Sequence, residues 1–286
     1  MRHPAVVLGE FDGFHLGHRQ LIQAALRVAD EHEAPLVAVV MHDLAQTERL
    51  GTLTEACRGI LGAGASAVHI VDVDTRHAEA AAERLVRDVS MRMEPVAVVM
   101  ACLPGGARDA RFPSLRTSLG AAGILQLDVA RWLDIDGSPI TGRGVRDALQ
   151  AGDVLRAANW LGRPYALAGE VVHGSGLGRT LGFPTANVWP PSARVIPTRG
   201  VYAASVSTAD GRSHAAAVNI GERPTVEVDG RILIEAHLLD FDEDIYGTRI
   251  TIEFRRWLRG ERRFESVDAL IAQVEQDVVR ARIAAV

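Results

Sequence analysis

The first half of the chain alternates short runs of apolar, often β-branched residues with longer stretches whose apolar residues recur at helical spacing. The runs that predict strands lie at residues 6–8, 36–41, 67–73 and 96–100. Helices are predicted near residues 55–61 and 78–89, and an earlier one is marked by Leu21, Ile22, Ala25, Leu26 and Ala29. This alternation predicts βαβ units on a parallel sheet.

The second half of the chain shows a different pattern. Two short helices are predicted near residues 145–150 and 153–161, separated by Gly152, with Asp153 as the N-cap of the second. Short apolar runs then alternate with Gly, Pro, Asp and Asn turns, as in a small sandwich or barrel. The strands predicted there lie at residues 168–173, 200–206, 215–220, 231–239 and 249–254.

One helix closes the chain. Ser266 is its predicted N-cap, and its apolar stripe contains Val267, Leu270, Ile271, Val274 and Val278. The change of pattern near Gly162 and Pro164 predicts two domains, 1–163 and 164–286. A length of 286 residues is sufficient for two domains that each bury a core.

Composition narrows the class of protein. With 48% hydrophobic and 23% charged residues, the chain is expected to be globular rather than disordered. A net charge of −5 argues against nucleic acid as a partner, and the apolar runs are too short for a membrane span. Cys57 and Cys102 are too few for a disulfide framework. We therefore expect a cytoplasmic protein that binds neither nucleic acid nor membrane.

A first glycine- and histidine-containing segment, residues 9–18, lies between the first predicted strand and the first predicted helix. In a parallel α/β sheet, ligands bind at the carboxyl ends of strands, and a helix N-terminus favours anions. The segment could instead be a turn in which the histidines serve as polar caps. Ten residues in register after a strand favour a nucleotide site, with Gly9, Asp12, His15 and His18 as the candidate residues.

A second glycine-rich segment, residues 169–187, contains three glycines at alternate positions followed by an arginine: Gly174, Gly176, Gly178 and Arg179. Glycines let backbone amides approach phosphate oxygens, and an arginine can add a bidentate contact. Thr185 and Asn187 are two residues apart in an extended segment, so their side chains project to the same side. Two neutral oxygens beside a triphosphate suit Mg²⁺, so both residues are candidate metal ligands.

Glu235 is the candidate general base. On its predicted strand, Ile232, Ile234, Ala236 and Leu238 share one face, while Leu233, Glu235, His237 and Leu239 share the other. A carboxylate between leucines is either near a wet rim, where it is exposed or ion-paired, or held in a site. His237 could assist Glu235 or could be a packed or surface histidine.

The first segment resembles the histidine–any–glycine–histidine signature of nucleotidyltransferases, in the form found in prokaryotic bifunctional riboflavin kinase/FAD synthetases. The resemblance implies a Rossmann-like N-terminal domain in which His15 and His18 contact the ATP phosphates and Arg146 reaches a phosphate. Three stretches depart from the pattern of the family: residues 41–45, the flavin loop at 100–106 and the triphosphate-binding stretch at 140–146. On these departures, we expect the adenylyltransferase activity to be reduced or lost.

The second segment, through Gly-Phe-Pro-Thr-Ala-Asn, resembles the signature of riboflavin kinases, and the resemblance extends over residues 165–286. It implies a six-stranded β-barrel with a closing helix, in which Glu235 accepts the proton of the riboflavin 5′-hydroxyl. The implied substrates are riboflavin and ATP, the products FMN and ADP, and the cofactor Mg²⁺. Two alternatives stay open: a fully bifunctional enzyme that also makes FAD from FMN, and a non-catalytic flavin-binding regulatory protein.

Overall fold

The computed structural model describes residues 3–101, 115–129, 134–135, 137–174, 176–190, 192–222 and 232–284. The chain divides into two compact units, Met1–Gly144 and Val145–Val286. Within the described residues, no helix is both long and apolar enough to cross a membrane.

The first unit is built on a five-stranded parallel sheet with the strand order β3-β2-β1-β4-β5. The strands are β1 (Ala5–Gly9), β2 (Leu36–Asp43), β3 (Ala67–Val73), β4 (Ala97–Ala101) and β5 (Gln126–Val129). The helices are α1 (Leu16–Glu31), α2 (Leu53–Gly62), α3 (Ala78–Met93) and α4 (Leu115–Ala121). A short antiparallel pair follows, β6 (Asp134–Ile135) and β7 (Ser138–Pro139).

Alternate residues of the central strands enter two separate cores. Val7 and Ala38 pack on one side with α1 and α2, whereas Val6 and Val39 pack on the other with α3 and α4. The predicted parallel α/β architecture is therefore confirmed. Helix α4 and strand β5 were not predicted, because each is at most seven residues long and neither shows a clear hydrophobic period.

The second unit is a closed six-stranded barrel with the order β10-β11-β12-β9-β8-β13, and all of its neighbouring strands are antiparallel. Its strands are β8 (Tyr165–Val172), β9 (Ala186–Trp189), β10 (Gly200–Ser207), β11 (Ser213–Glu222), β12 (Ile232–Leu238) and β13 (Arg249–Arg259). The helices are α5 (Gly142–Gln150), α6 (Val154–Leu161), the single turn α7 (Leu177–Thr180) and α8 (Val267–Ala284). The predicted six-stranded barrel with a closing helix is confirmed.

Helix α6 belongs to the compact unit that contains the barrel. Val154, Ala157, Trp160 and Leu161 are buried, and the helix contacts β8 and β13. The side chain of Asp153 caps it by accepting a hydrogen bond from the backbone N–H of Arg156, at 3.0 Å. The contacts thus divide the chain after Gly144, whereas the change of sequence pattern placed the boundary after residue 163.

Helix α8 lies on the barrel with a polar stripe inward. Its buried residues are Gln273, Asp277 and Ala281, while Val267 is exposed and the rest of the predicted apolar stripe is only partly buried. Asp277 accepts hydrogen bonds from the guanidinium of Arg259 at the end of β13, at 2.7 and 2.9 Å. Ala281, with the partly buried Val278 and Ala284, belongs to an apolar cluster with Ala203 and Leu239, so the inward face of α8 combines this ion pair with apolar contacts. Hydrophobic periodicity could not predict the ion pair, because it joins α8 to another element. The predicted N-cap is present, since the N–H of Ala269 donates to the Ser266 hydroxyl at 3.1 Å.

Candidate functional sites

The first candidate site lies at the carboxyl end of β1, where the sheet order reverses between β1 and β4. Ligands of open α/β sheets bind at such a reversal. Gly9 ends β1, and a Cβ there would lie only 3.2 Å from the ring of Phe11, so the turn is tightly packed. A single 3₁₀ turn (Asp12–Phe14) then leads directly into α1.

Asp12 organises the loop beside this turn. Its carboxylate accepts hydrogen bonds from the backbone N–H groups of Leu50 and Gly51, at 2.9 and 3.1 Å, and from the Gln46 side chain at 3.2 Å. Its oxygens thus hold the chain between Gln46 and Gly51 against the turn. These bonds favour a positioning role for Asp12 over direct contact with a phosphate, because an anion would repel the carboxylate.

His15 and His18 stack on one another, with ring centroids 3.7 Å apart and planes 13° from parallel. His15 is buried, and its Nδ1 accepts a hydrogen bond from the backbone N–H of His18 as the N-cap of α1. Because an accepting Nδ1 carries no proton, the other ring nitrogen of His15 carries its N–H. The cap places His15 at the N-terminus of α1, where the helix dipole favours an anion.

His18 is held in its neutral form. Burial lowers the pKa of His18 well below the ordinary value of 6.5, and the neighbouring His15 lowers it further. Its Nδ1 is buried and has no hydrogen-bond partner in the described part of the chain. Burial and the neighbouring His15 thus keep a positive charge off His18, while the dipole of α1 favours an anion at this end of the helix.

Two other parts of the predicted first site cannot be placed beside the histidines. Residues 102–106 of the expected flavin loop lie outside the described residues. Arg146 lies on α5, within the second compact unit, so its role at the first site stays a prediction. The hydroxyl of Thr141 caps α5 by accepting from the N–H of Gly144 at 3.1 Å.

The second candidate site is a row of polar residues across three neighbouring strands of the barrel. Asn219 on β11 lies opposite Glu235 on β12, and Glu235 lies opposite Asn187 on β9. The Asn219 amide nitrogen is 3.5 Å from a Glu235 carboxylate oxygen. The neighbouring residues on β12, Ile234 and Ala236, are fully buried, so the row lies on the other face of the strand, as predicted for Glu235.

Within the glycine-rich segment, the backbone at Gly174 and Gly178 lies directly against the side chains of Asn187 and Thr185. A Cβ on Gly174 would come within 2.1 Å of the Asn187 amide, so no larger residue fits there. A Cβ on Gly178 would lie 2.5 Å from the Phe183 carbonyl oxygen and 3.2 Å from the Thr185 hydroxyl. Gly176 has a φ of 75°, which is the left-handed region. The glycines therefore bring the loop backbone onto the two predicted metal ligands.

Asn187 meets the chemical requirement for a metal ligand. Its side chain is 4% exposed, and its Oδ1 is buried without a hydrogen-bond partner among the described residues. An unpaired buried oxygen costs about 1–3 kcal/mol unless a bound group satisfies it. The described residues form no cluster of three or more His, Cys, Asp or Glu side chains that could hold a metal. A metal here would take neutral protein oxygens and phosphate oxygens, a set that suits Mg²⁺.

A cavity of about 390 Å³ adjoins the loop. Arg179, Pro184 and Thr185 line one side of it, and residues 241–246 between β12 and β13 line the other. The ring of Tyr246 stacks on His173 at the start of the glycine-rich segment, with centroids 3.9 Å apart. Arg179 and Thr185 thus share one cavity, although Arg179 lies on α7 and Thr185 directly precedes β9.

The sequence did not single out Asn219 of the row, and it left open whether His237 assists Glu235 or is a packed or surface histidine. Asn219 lies between two buried residues, Val218 and Ile220, and this alternation is a signal for its outward face. His237 follows Glu235 on the same face of β12, and its Nδ1 lies 2.7 Å from the carbonyl oxygen of Pro184. Neither contact can be inferred from the sequence, because each joins strands that are distant along the chain.

Comparison with known families divides the chain in the same two parts. A family model described as riboflavin kinase matches residues 161–285, and one described as FAD synthetase matches residues 1–102. The first match contains the polar row and the glycine-rich segment, and the second contains the stacked histidines.

Relatives match over nearly the whole chain. A protein of Escherichia coli K12 named bifunctional riboflavin kinase/FMN adenylyltransferase is 34% identical over 288 residues, covering 97% of this chain and 91% of the relative. A Pseudomonas fluorescens protein of the same name is 45% identical over 164 residues, covering 56% of this chain and 52% of the relative. A crystal structure titled as a macrolide-efflux protein of Streptococcus pneumoniae has a TM-score of 0.84 at 25% identity, covering 98% and 94% of the chains.

Proposed function

This chain belongs to the bifunctional riboflavin kinase/FMN adenylyltransferase family, and we propose that it makes FMN from riboflavin in its second unit and FAD from FMN in its first. The observation that supports the kinase most directly is the row of Asn187, Glu235 and Asn219. It places a candidate base opposite a buried oxygen that lacks a partner within the described residues.

In the proposed kinase reaction, the Glu235 carboxylate accepts the proton of the riboflavin 5′-hydroxyl. The hydroxyl oxygen forms a bond to the γ-phosphorus of ATP, the bond to the β-phosphate oxygen breaks, and ADP leaves. The Asn219 amide restricts the orientation of the carboxylate. Arg179 and the backbone amides of the glycine-rich segment bind phosphate oxygens, while the adjoining cavity accepts the rest of the nucleotide.

Thr185 and Asn187 would hold Mg²⁺ on the same side of the loop. A bound Mg²⁺ would offset the negative charge of the triphosphate. The closeness of Gly174 and Gly178 to these two side chains supports this assignment, because phosphates bound by the loop would lie beside both oxygens.

In the proposed second reaction, a phosphate oxygen of FMN attacks the α-phosphorus of ATP, and pyrophosphate leaves. The N-terminus of α1, which His15 caps, stabilises the phosphate charge. No covalent nucleophile on the protein is required, since positioning and charge stabilisation are sufficient.

The reduced or lost adenylyltransferase activity expected from residues 41–45, 100–106 and 140–146 is not the better interpretation. The FAD synthetase match extends through residue 102, and relatives that match over nearly the full chain carry both names. The departures in these stretches are compatible with membership of the family, so they do not by themselves argue that the activity is lost.

The test is product analysis with the purified full chain. Riboflavin, ATP and Mg²⁺ are expected to give FMN and then FAD, and supplied FMN is expected to give FAD directly. Because the stacked histidines belong only to the first unit, His15→Ala with His18→Ala should remove FAD formation and leave FMN formation unchanged.

Each alternative predicts a different result. FMN without FAD from the unmodified chain would restore the interpretation that the first unit has reduced or lost activity. No FMN formation together with no riboflavin-dependent consumption of ATP would contradict the kinase and favour a non-catalytic flavin-binding protein.

A further inference from the structure

Pro184 and Thr185, which directly precede β9, lie beyond the residues of β9 that pair with β12. β9 and β12 pair at three positions, and the last of them joins Ala186 to Ala236. The next two residues back along the chain, Thr185 and Pro184, therefore lie beyond the last pair of this ladder, although Thr185 is a proposed metal ligand. Pro184 has no backbone N–H, so its carbonyl is the only backbone group that it can offer to a hydrogen bond.

His237 supplies the contact that the ladder lacks. It follows Ala236, the last residue of β12 that pairs with β9, and its Nδ1 lies 2.7 Å from the carbonyl oxygen of Pro184. Since a carbonyl oxygen only accepts, Nδ1 must carry the proton and donate it. The ring also meets the edge of Phe183, with centroids 5.7 Å apart and planes at 85°.

Phe183, the residue before Pro184, also contacts the backbone of the glycine-rich segment at Gly178. The N–H of Phe183 donates to the Gly178 carbonyl at 2.8 Å, and the Phe183 carbonyl lies where a Cβ on Gly178 would clash. A shift of Pro184 would therefore move both the Thr185 hydroxyl and the loop backbone above it.

We propose that His237 is a positioning residue of the kinase site, which fixes Thr185 and the adjoining glycine-rich segment through its hydrogen bond to Pro184. The inference rests on the proposed kinase function and adds a role that Glu235 does not have. Strand β12 then orients two parts of the site, because Glu235 faces the reacting hydroxyl and His237 holds the residues beside the proposed metal ligand Thr185. His237 contacts neither reacting group.

The first measurement compares His237→Ala with the unmodified chain. Loss of one hydrogen bond and a small displacement of Thr185 should raise the Mg²⁺ concentration for half-maximal FMN formation by about tenfold and lower kcat by about tenfold. The KM for riboflavin should stay unchanged. FAD formation from FMN should also stay unchanged, because it is assigned to the other unit.

Binding gives a measurement that does not depend on turnover. Calorimetric titration with ADP, with and without Mg²⁺, should show that the Mg²⁺-dependent gain in affinity falls by about tenfold in His237→Ala. The affinity for ADP without Mg²⁺ should fall by less than this, because displacement of the Gly178 backbone disturbs phosphate contacts but no metal ligand. An exposed histidine of the first unit, replaced as His32→Ala, serves as the control and should match the unmodified chain.

A conservative pair of variants separates positioning from general stability. The amide nitrogen of asparagine can approach the location of Nδ1, whereas that of glutamine extends toward Nε2. His237→Asn should therefore recover most of the Mg²⁺ dependence and His237→Gln should not. This comparison also decides the question if His237→Ala fails to fold.

Unchanged Mg²⁺ dependence in both kinetics and calorimetry, or equal behaviour of the Asn and Gln variants, would overturn the inference. If the unmodified chain made no FMN, the proposed function would fail instead, while the calorimetry would still test whether His237 supports metal-dependent nucleotide binding.

Discussion

The two glycine-containing segments of this protein use their polar residues differently. In the first, Asp12 is occupied by backbone N–H groups of a neighbouring loop, and His15 caps the helix that it begins. In the second, the Asn187 oxygen is buried without a partner in the part of the chain that the structure describes. In the described residues each segment also holds one buried atom without a partner, but it is the ring nitrogen of His18 in the first and a side-chain oxygen, suited to a metal, in the second.

This difference shows what each unit needs in order to bind a nucleotide. A helix N-terminus already presents unpaired N–H groups, so the first segment needs only a precise turn and a cap such as His15. A barrel has no such terminus at its strand faces, so the second site needs side-chain oxygens, an arginine and close approach of a glycine-rich backbone. The expected effects of substitutions follow from this contrast.

The largest effect is expected from Thr185→Ala combined with Asn187→Ala. Because alanine supplies no oxygen, Mg²⁺-dependent FMN formation should fall below detection while FAD formation from FMN persists. Steady-state product analysis measures both reactions, and circular dichroism checks that the barrel is folded. Asn159→Ala, on the exposed side of α6, is the control and should behave as the unmodified chain. Retained Mg²⁺ dependence in the double variant would place the metal elsewhere.

Glu235→Gln is expected to lower kcat for FMN formation by about 10²–10⁴-fold, because glutamine keeps the shape but cannot accept the proton. ADP affinity should change little, as measured by calorimetry, and FAD formation from FMN should not change. Glu275→Gln, at an exposed position of α8, is the matched control. Near-normal turnover of Glu235→Gln would remove this residue from the mechanism.

A moderate effect on stability is expected when the barrel is expressed without the preceding helices α5 and α6. Fragments 145–286 and 164–286 should both make FMN, but the shorter one loses the buried residues Val154, Trp160 and Leu161. Each such side chain contributes roughly 1.5–3 kcal/mol when buried, so the longer fragment should unfold at a clearly higher urea concentration. Tryptophan fluorescence follows this transition, since both fragments keep Trp189 and Trp257. Equal urea midpoints would favour a boundary after residue 163.

The smallest effect is expected in how the stability of the first unit depends on pH. Because burial lowers the pKa of His18, the unfolded chain binds a proton near pH 6.5 that the folded chain does not. Stability should therefore be fully present above pH 6.5 and decrease as the pH falls below it, by at most about 1.4 kcal/mol per pH unit.

Hydrogen exchange of the α1 amides between pH 7 and 5 measures this stability, after correction for the intrinsic exchange rate. His18→Asn should flatten the pH dependence, whereas His32→Asn, at an exposed position, should not. An equally steep pH dependence in His18→Asn would show that another group titrates.

Much of the architecture could be predicted from local patterns. Four of the five strands of the parallel sheet and the two-residue alternation on β12 follow directly from apolar periodicity, and Asp153 and Ser266 were recognisable as N-caps. The roles of Asp12 and of the inward face of α8 could not be predicted in this way. Asp12 bonds to residues 38 and 39 positions away, and Asp277 pairs with Arg259 on another element.

The sequence alone determined the two-part organisation, the segments that carry the chemistry and the face of β12 on which Glu235 lies, because each depends on neighbours along the chain. Tertiary structure decided which residues meet Glu235. Asn187, Asn219 and Glu235 form one row only because barrel closure places β12 between β11 and β9. His237 reaches Pro184 for the same reason: hydrogen-bond register between distant strands sets these contacts, and no local pattern encodes that register.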